Sequence, residues 1–382
     1  MPSIRRAGLV AAVGAPGALA YRFGLVYRAR AGFPRRRLPT VTPANVGLPF
    51  EEVLVPSTAG GLAGWFVPAR DGLPGPGVLV VHGWESGRDR TLPHVRYLHA
   101  AGFHVLTLDV RGHGANPPES LPITVGEFAA DAAAAFDELL ARPEVTSGAI
   151  VGHSLGGDAA LLAGAAAPRV AAVVSVSAPA DPYRLTRLTF RLARLPLPDA
   201  IAYPLAALTA HLFVRPRRHG VREVSASVGA RHYHGPLLLV HGADDDVVPL
   251  AHLRLLEAAA RAGRRSIPDA SPVETCVVTG AAHSWLFEDA IYRRAVATFL
   301  ARSLGGPFAP DEAGSLAAEV DARRLPDTEA AFADVPETHR RLRLLLEVLG
   351  APVQRLVVDA APLRTADPAL PDPAQTPAPE VG

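Results

Sequence analysis

The sequence predicts an α/β protein built on a mostly parallel, doubly wound sheet. Short apolar runs alternate with longer helical segments between about residues 78 and 304, and repeated strand–helix units build a parallel sheet with helices on both faces. The run at residues 78–81 is apolar throughout, which is typical of a strand buried on both faces. A further apolar run leads directly into Gly152-His153-Ser154-Leu155-Gly156, and an alanine- and leucine-rich run follows it.

The position of Ser154 between a predicted strand and a predicted helix indicates a nucleophile elbow, a sharp turn that exposes a serine hydroxyl at the sheet edge. Glycines are needed around such a serine because side chains at the flanking positions would collide with the strand and the helix. A chain with 34 glycines can contain this pattern by chance. The interpretation therefore depends on whether other loops at the same edge supply a base, an acid and oxyanion donors.

The bulk composition limits the classes of protein to consider. The 382 residues suffice for one large α/β domain with additions, or for two ordinary domains. A hydrophobic content of 49% and a charged content of 20% are typical of a globular protein, and the net charge of +1 argues against a nucleic-acid-binding protein. The single cysteine, Cys276, excludes an intrachain disulfide and a cysteine-rich metal site, and we expect a buried, inert thiol on a strand.

Residues 1–40 form a hydrophobic and basic N-terminal segment. Arg5 and Arg6 precede an apolar run at residues 7–20, which is shorter than the about 20 residues that a membrane span requires. The run is compatible with a signal peptide, with a membrane-associated anchor within residues 5–30, or with a surface helix that covers the main domain. We expect a cytoplasmic or membrane-associated protein rather than a secreted one.

The main domain is predicted at residues 45–304. Its first two strands are joined by the turn-forming residues 57–61, and the two element types alternate from there. Strands are predicted at residues 50–56, 62–67, 78–81, 103–108, 148–153, 170–176, 237–240 and around Cys276. Helices are predicted at residues 92–101, 125–141, 158–167, 250–262 and 285–304.

Residues 178–235 interrupt this alternation after the sixth strand. The interval is too long for an ordinary connection and is helical in composition, so we expect a helical cap inserted over the site. A cationic stripe at helical spacing runs beside an apolar one, and it consists of Arg184, Arg187, Arg191 and Arg194. The stripe indicates either an ordinary cap helix with a solvated face or a surface for anionic lipid or a charged substrate group.

The composition changes again beyond residue 304. Residues 305–360 are predicted to form a C-terminal appendage, which is Pro/Gly-rich and acidic up to residue 327 and helical from Pro336 to Gly350. Residues 361–382 are dominated by Pro, Ala and Asp, and we expect them to be a disordered tail.

A serine nucleophile needs a base to take its proton, and the best placed histidine is His283. Only three histidines lie downstream of residue 245. His252 lies in a predicted helix and His339 in the appendage, whereas His283 directly follows the last predicted strand. That position is at the sheet edge where Ser154 is expected.

The acid that orients this histidine is expected in the loop after the strand at residues 237–240. Asp244, Asp245 and Asp246 are adjacent there. Three neighbouring carboxylates cannot all be buried and charged, so one of them is expected to point inward and two to be solvated. Asp181, after the preceding strand, is an outside alternative. The order serine, acid, histidine along the chain is the one that an elbow on this kind of sheet requires.

The oxyanion of a tetrahedral intermediate needs two backbone donors. We expect the N–H of Leu155, directly after the nucleophile, and the N–H of Trp84 in the loop that follows the strand at residues 78–81. Asp109 and Arg111 follow the next strand, and we interpret both as structural residues that hold loops at the sheet edge.

Taken together, residues 50–304 resemble the α/β-hydrolase superfamily, within it the serine-esterase-like bacterial group that often carries an N-terminal hydrophobic anchor. The matching segments are residues 82–84, 109–114, 152–157, 241–249 and 280–283. The resemblance implies Ser154 as nucleophile, His283 as base and no cofactor. It also implies Asp245 as the acid, at the fifth position of a His-Gly-x-x-Asp-x-x-Val-Pro pattern. The arginine-rich insertion and the appendage depart from the family, so the substrate cannot be transferred from it.

The sequence thus predicts a serine hydrolase that cleaves a carboxylic ester, with an apolar acyl group, through an acyl-enzyme. Thioesterase or acyltransferase, amidase or peptidase, and cofactor-free haloperoxidase activities are alternatives, because the same three residues serve all of them. The non-enzymatic alternative is a binding or scaffold protein on this fold. The expected partner is a small-molecule ester, with no nucleic acid and no metal, and the oligomeric state is left open.

Overall fold

The computed structural model describes residues 2–181, 198–214, 224–268, 270–323 and 344–352. Within these ranges the strands are β1 (Glu51–Ser57), β2 (Gly60–Val67), β3 (Gly75–Val81), β4 (His104–Leu108), β5 (Val145–His153), β6 (Ala172–Val176), β7 (Leu237–Gly242) and β8 (Val273–Val278). They form one sheet in the order β1-β2-β4-β3-β5-β6-β7-β8. Strands β3 to β8 are parallel to one another, and β2 pairs antiparallel with both β1 and β4.

Helices cover both faces of this sheet. Over the same described ranges they are α1 (Pro2–Gly32), α2 (Leu92–Ala100), α3 (Val125–Ala141), α4 (Leu155–Ala166), α5 (Asp199–Phe213), α6 (Ala226–His232), α7 (Ala251–Arg264), α8 (Ala290–Leu304) and α9 (Pro310–Glu319). A short helical turn also occupies residues 344–348. The mostly parallel α/β sheet that the sequence predicted is confirmed, and it has the strand order of the α/β-hydrolase fold.

The apolar run at residues 78–81 shows why the sheet needs two layers of helices. Leu79 and Val81 pack into the core on the face covered by α3, α4, α6 and α7, while Val78 and Val80 pack into the core under α2, α8 and α9. Because side chains alternate between the faces of a strand, a strand buried on both faces must be apolar at every position. None of the four side chains is more than 2% exposed.

Three local predictions differ from the structure. The helix expected at residues 285–304 begins at Ala290, because the Asp289 side chain accepts the N–H of Ile291 and caps the helix there. Cys276 is half-buried rather than buried, since β8 is an edge strand. Burial still raises the pKa of its thiol, which favours the protonated form.

The third difference is α9, which lies in the segment predicted to be a Pro/Gly-rich appendage. Pro310 occupies the first helical turn, where its missing N–H costs nothing, and Asp311 and Glu312 favour the positive end of the helix dipole. Gly314 allows close packing, because a Cβ there would collide with Thr298 of α8. The proline that indicated a loop therefore marks a helix start.

The N-terminal segment forms the single helix α1, and its second half packs on the protein surface. The Tyr21 ring lies 5.8 Å from the Phe213 ring of α5, and Arg22 donates to the carbonyls of Glu347 and Ala351 at 3.0 and 2.6 Å. Residues 14–21 of the same helix are exposed. No helix, over the residues that the structure describes, is both long enough and apolar enough to cross a membrane.

The insertion between β6 and β7 is described in part. Helices α5 and α6 occupy the described portion, in agreement with its helical composition. The cationic stripe from Arg184 to Arg194 lies outside the described residues, and so do His339 and the tail from residue 361. Of the helix expected from Pro336 to Gly350, the described part is helical at residues 344–348.

The loop after β4 is tied to α3 by a buried ion pair. The Arg111 guanidinium pairs with the Asp131 carboxylate, and these side chains are 5% and 0% exposed. The Arg111 N–H donates to the same carboxylate at 2.9 Å. On the opposite, exposed side of α3, Asp137 pairs with Arg169 at side-chain exposures of 60% and 62%.

These two ion pairs give a matched test of burial. Asp131→Asn is expected to lower the free energy of unfolding by about 3–5 kcal/mol, because it leaves the buried Arg111 charge without its carboxylate. Asp137→Asn is expected to cost only about 0–1 kcal/mol, since solvent screens the exposed pair. Urea denaturation followed by circular dichroism measures both, and similar losses in the two variants would contradict the structural role assigned to Arg111.

Candidate active site

Ser154 lies in a strained turn between β5 and α4. Its backbone angles are φ 54° and ψ −123°, a region that residues with a side chain rarely adopt and that costs about 1–3 kcal/mol. The Ser154 N–H donates to the carbonyl of Val176 at 2.8 Å, which ties the turn to the neighbouring strand β6. The strain is thus held in place by the sheet.

The two glycines around Ser154 are required by space. A Cβ at Gly152 would collide with the carbonyl of Gly156, and a Cβ at Gly156 would collide with the carbonyl of Val81. The obstacles are backbone atoms, which cannot move aside as a side chain can. The Gly-x-Ser-x-Gly pattern therefore reflects the tight passage of the chain from strand to helix.

His283 and Asp245 complete a hydrogen-bonded chain with Ser154. His283 Nε2 lies 3.1 Å from Ser154 Oγ, and His283 Nδ1 lies 2.8 Å from Asp245 Oδ2. An ionised carboxylate can only accept, so Nδ1–H donates to Asp245 and Nε2 is left free to accept from the serine hydroxyl. The three residues come from the loops after β5, β7 and β8, which meet at the carboxyl edge of the sheet.

Asp245 is the inward-pointing member of the three adjacent carboxylates. Its side chain is 0% exposed, whereas Asp244 and Asp246 are exposed. Asp245 Oδ1 accepts the N–H groups of Val247 and Val248 at 3.0 and 2.7 Å. One of three carboxylates inward and two solvated is the arrangement that electrostatics predicted.

The surroundings of Asp245 favour its charged form. Burial by itself raises the pKa of this carboxyl, but hydrogen bonds from His241 and His283, the charge of His283 and the Val248 N–H outweigh burial and lower the pKa well below its usual range. A carboxylate that stays ionised beside an imidazole can hold the ring in one tautomer and stabilise its protonated form.

The loop that carries Trp84 passes directly beside Ser154. A Cβ at Gly83 would lie 3.1 Å from the Cβ of Ser154. His82 supports the loop, because one ring nitrogen lies 2.7 Å from the Gly83 carbonyl and the other accepts the Val110 N–H at 3.0 Å. Burial lowers the pKa of His82 to about 4, so this ring is neutral at pH 7 and can both donate and accept.

Leu155 is the first residue of α4, so its N–H has no acceptor within the helix. An N–H at this position is available to an anion that binds at the helix N-terminus. The pairing of the Leu155 and Trp84 N–H groups on one oxyanion stays a prediction.

His153 also belongs to this site, although the sequence did not single it out. Its Nε2 lies 2.8 Å from the carbonyl oxygen of His283, and the two rings are 4.9 Å apart. Burial, followed by the proximity of His283, lowers the pKa of His153 to about 3, so the ring is neutral and Nε2–H donates to that carbonyl. The bond connects the residue before the nucleophile to the backbone of the loop that carries His283.

Asp158, one helical turn after Ser154, is a second residue that the sequence did not single out. Its side chain is fully buried, and neither carboxyl oxygen has a hydrogen-bond partner among the residues that the structure describes. Burial, and after it the charge of Asp181, raises the pKa of Asp158 well above its usual range. The group is therefore protonated in the folded protein at pH values where the unfolded chain releases the proton.

The remaining residues predicted at the site have other roles. Asp109 accepts the N–H groups of Arg88 and Ala115 at 2.7 and 3.0 Å and holds two loops together, as expected of a structural residue. His252 lies in α7, where it accepts the Ala180 N–H at 3.0 Å. Over the described residues, no three His, Cys, Asp or Glu side chains are grouped to hold a metal ion.

A mostly parallel sheet that holds a serine on a strained strand-to-helix turn, in hydrogen-bond contact with a histidine, defines a hydrolase of the serine type. The comparisons with known proteins agree with this class. Residues 74–215 match the Hydrolase_4 family, described as serine aminopeptidase, S33. The chain belongs to the α/β-hydrolase superfamily.

Individual relatives support the same assignment. An uncharacterized protein of Mycobacterium tuberculosis is 32% identical over 248 residues, which cover 64% of this chain and 76% of that protein. Human protein ABHD12B is 29% identical over 213 residues, covering 53% of this chain and 54% of its own length. The Pyrococcus furiosus esterase Pf2001 superposes with a TM-score of 0.55 at 22% identity, over 72% of this chain and all of that chain, and this likeness shows the fold.

The buried Asp158 carboxyl predicts a pH dependence of stability. Because its pKa is raised in the folded state, its contribution to stability is fully present below the unfolded pKa, near 4, and is lost as the pH rises toward the folded pKa. Asp158→Asn cannot ionise and does not lose this contribution. Its melting temperature is therefore expected to rise relative to that of the wild type as the pH increases from 4 to 9. Differential scanning fluorimetry across this range measures the gain.

The exposed Asp246→Asn is the control, and its melting curve is expected to follow that of the wild type at every pH. If the Asp158→Asn and wild-type melting temperatures differ by the same amount throughout the range, the raised pKa of Asp158 is wrong.

Proposed function

We propose that this hydrolase cleaves carboxylic esters through a Ser154–His283–Asp245 triad and an acyl-enzyme. The observation that carries the proposal is the continuous hydrogen-bonded chain from Asp245 Oδ2 through His283 to Ser154 Oγ, with bonds of 2.8 and 3.1 Å. A serine hydroxyl becomes an effective nucleophile when such a base accepts its proton.

In the first half-reaction, His283 Nε2 takes the Ser154 proton as Oγ forms a bond to the ester carbonyl carbon. The carbonyl oxygen becomes an oxyanion, which the N–H groups of Leu155 and Trp84 stabilise. His283 then gives the proton to the ester oxygen, the bond from carbon to that oxygen breaks, and the alcohol leaves. Loss of one oxyanion donor typically costs about 2.7–4 kcal/mol of transition-state stabilisation.

In the second half-reaction, water replaces the alcohol. His283 takes a proton from the water molecule, whose oxygen attacks the acyl carbon. The same N–H groups stabilise the second oxyanion, and His283 returns the proton to Ser154 Oγ as the carboxylic acid is released. Asp245 stays ionised throughout and stabilises the imidazolium that forms twice in each cycle.

An apolar acyl group is the substrate that the residues next to Ser154 support. Leu155 follows the nucleophile and Trp84 lies in the adjoining loop, and both are half-buried against the apolar core, which leaves part of each side chain available to an acyl chain. An acyl chain that covers this surface gains about 25 cal/mol for each Å² removed from water.

A panel of p-nitrophenyl esters with acyl chains of two to twelve carbons tests the proposal. Wild-type protein is expected to hydrolyse them with kcat/KM rising with chain length, whereas Ser154→Ala is expected to lose activity by about 10⁴-fold or more. A fluorophosphonate probe is expected to label Ser154 in the folded protein. Equal hydrolysis by wild type and Ser154→Ala would rule out the proposed nucleophile.

The three adjacent carboxylates provide an internal comparison. Asp245→Asn is expected to lower kcat by about 10³–10⁴-fold, because an amide can donate to His283 and so favours the wrong tautomer. Asp244→Asn and Asp246→Asn are expected to change kcat by less than about threefold, since both side chains are solvated. A large loss in either control, with Asp245→Asn active, would assign the acid to another residue.

The same panel separates the rival activities. Added substrates extend the panel: a thioester reports thioesterase activity, an aminoacyl-p-nitroanilide reports peptidase activity, and bromination of monochlorodimedone reports haloperoxidase activity. A kcat/KM for one of these substrates above that for the esters would contradict the ester assignment. Epoxide and haloalkane hydrolases of the superfamily place an aspartate where Ser154 stands, which disfavours them. Folded protein that is neither labelled nor active would indicate a binding or scaffold role.

A further inference from the structure

Helix α5 exposes a continuous stripe of large apolar side chains. Ile201, Leu205, Leu208 and Leu212 are 55%, 39%, 53% and 62% exposed. Their spacing of three or four residues places them on one side of the helix. The side of α5 that carries Ala210, which is 5% exposed, faces the protein. Such a stripe on a helix normally faces a core, but here it faces outward.

Helix α1 and residues 344–349 also expose apolar side chains, and α1 contacts both α5 and this second segment. Tyr21, 61% exposed, contacts Phe213 at the end of α5, and Arg22 binds the carbonyls of Glu347 and Ala351. The segment at 344–349 thereby brings its own exposed leucines to the same place. We call the exposed apolar side chains that the three segments carry near these contacts the apolar collar; it consists of Tyr21, Leu208, Leu212, Leu345, Leu346 and Leu349.

Helix α1 leaves the protein body at the collar. Every residue from Gly14 to Tyr21 is exposed, and residues 14–20 contain only Gly, Ala, Pro and Leu. A helix that is apolar on all sides is normally buried in a core or in lipid. Monomeric soluble proteins rarely expose a contiguous apolar surface of this kind without a partner for it.

The charge around this surface is positive. Helix α1 contains five arginines and no acidic residue. The segments α1, α5 and 344–352 hold two carboxylates, Asp199 and Glu347, and Glu347 is buried and paired with Arg30. Arginines next to an apolar surface match the phosphates of anionic lipid headgroups.

We propose that the apolar collar and the N-terminal half of α1 dock this protein on the surface of a bilayer that contains anionic lipid. The 14 apolar residues at positions 7–20 extend about 21 Å as a helix, against a hydrocarbon core of about 30 Å. The helix is therefore too short to span the bilayer and lies within one interface, with the collar against the acyl boundary.

A second copy of the chain is a poorer occupant for this surface. A symmetric dimer through the collar would bring two copies of α1 together, each with five arginines and no acidic residue. Like charges held close across an interface repel, whereas anionic headgroups attract them. The proposal does not depend on the proposed function, because docking requires neither Ser154 nor a substrate.

Sedimentation of the full chain with vesicles tests the docking surface. Wild-type protein and Ser154→Ala are expected to bind phosphatidylcholine vesicles that contain 30% phosphatidylglycerol, and to bind pure phosphatidylcholine vesicles more weakly. Higher salt is expected to reduce the difference between the two lipids. The double variant Leu208→Asp/Leu212→Asp is expected to weaken binding by about tenfold or more, because it places two charges in the apolar contact.

The control is Leu54→Asp/Leu73→Asp, which changes two leucines that are 70% and 62% exposed outside the collar segments. It is expected to bind as the wild type does, and unchanged melting temperatures verify that both double variants fold. Equal vesicle binding by the two double variants, or no binding by wild type, would overturn the proposal. It would also be overturned by a wild-type dimer in light scattering that Leu208→Asp/Leu212→Asp dissociates without any vesicle binding.

Discussion

The close approach of the β5–α4 turn to the end of β3 is the constraint on which the site depends. Gly156 lies against the carbonyl of Val81 and has no room for a Cβ, and Gly83 lies beside the Cβ of Ser154, where a Cβ would fit only tightly. This packing holds Ser154 at a positive φ and keeps the Trp84 loop next to it. The stability of the sheet offsets the strained backbone of Ser154, because the flanking strands are buried on both faces.

Two aspartates at this sheet edge show how burial produces opposite results. Asp245 and Asp158 are both buried, which by itself raises the pKa of a carboxyl. Asp245 accepts two backbone N–H groups and contacts two histidines, so its charged form is favoured, whereas Asp158 has no partner and its neutral form is favoured. The hydrogen-bond donors around a carboxylate, rather than how deeply it is buried, decide whether it stays ionised and can accept from a histidine. His153 adds a fixed support for the His283 backbone.

Much of the fold followed from the sequence because local patterns are strong in this chain. Period and length of the apolar runs predicted the strands and the main helices, and chain order pointed to Ser154 and His283. The sequence pattern predicted the structure least well where the local sequence and the tertiary packing favour different conformations. Helix α9 was missed because proline and glycine also occur in loops. Nothing near Asp158 in the sequence indicates that its carboxyl is buried without a partner, since burial there comes from strands distant along the chain.

By itself, the sequence determined the class of sheet, the strand-to-helix turn at Ser154 and the chain order of a serine, an aspartate cluster and a histidine, because these depend on residue type and spacing along one chain. The family resemblance implied Asp245, but residue chemistry left the three adjacent aspartates equal, and only the tertiary structure showed that the Asp245 carboxylate reaches His283. The structure alone likewise brought α1, α5 and residues 344–349 together into one apolar surface. Each segment is an ordinary apolar helix in sequence, and only their packing shows which of their faces stay uncovered.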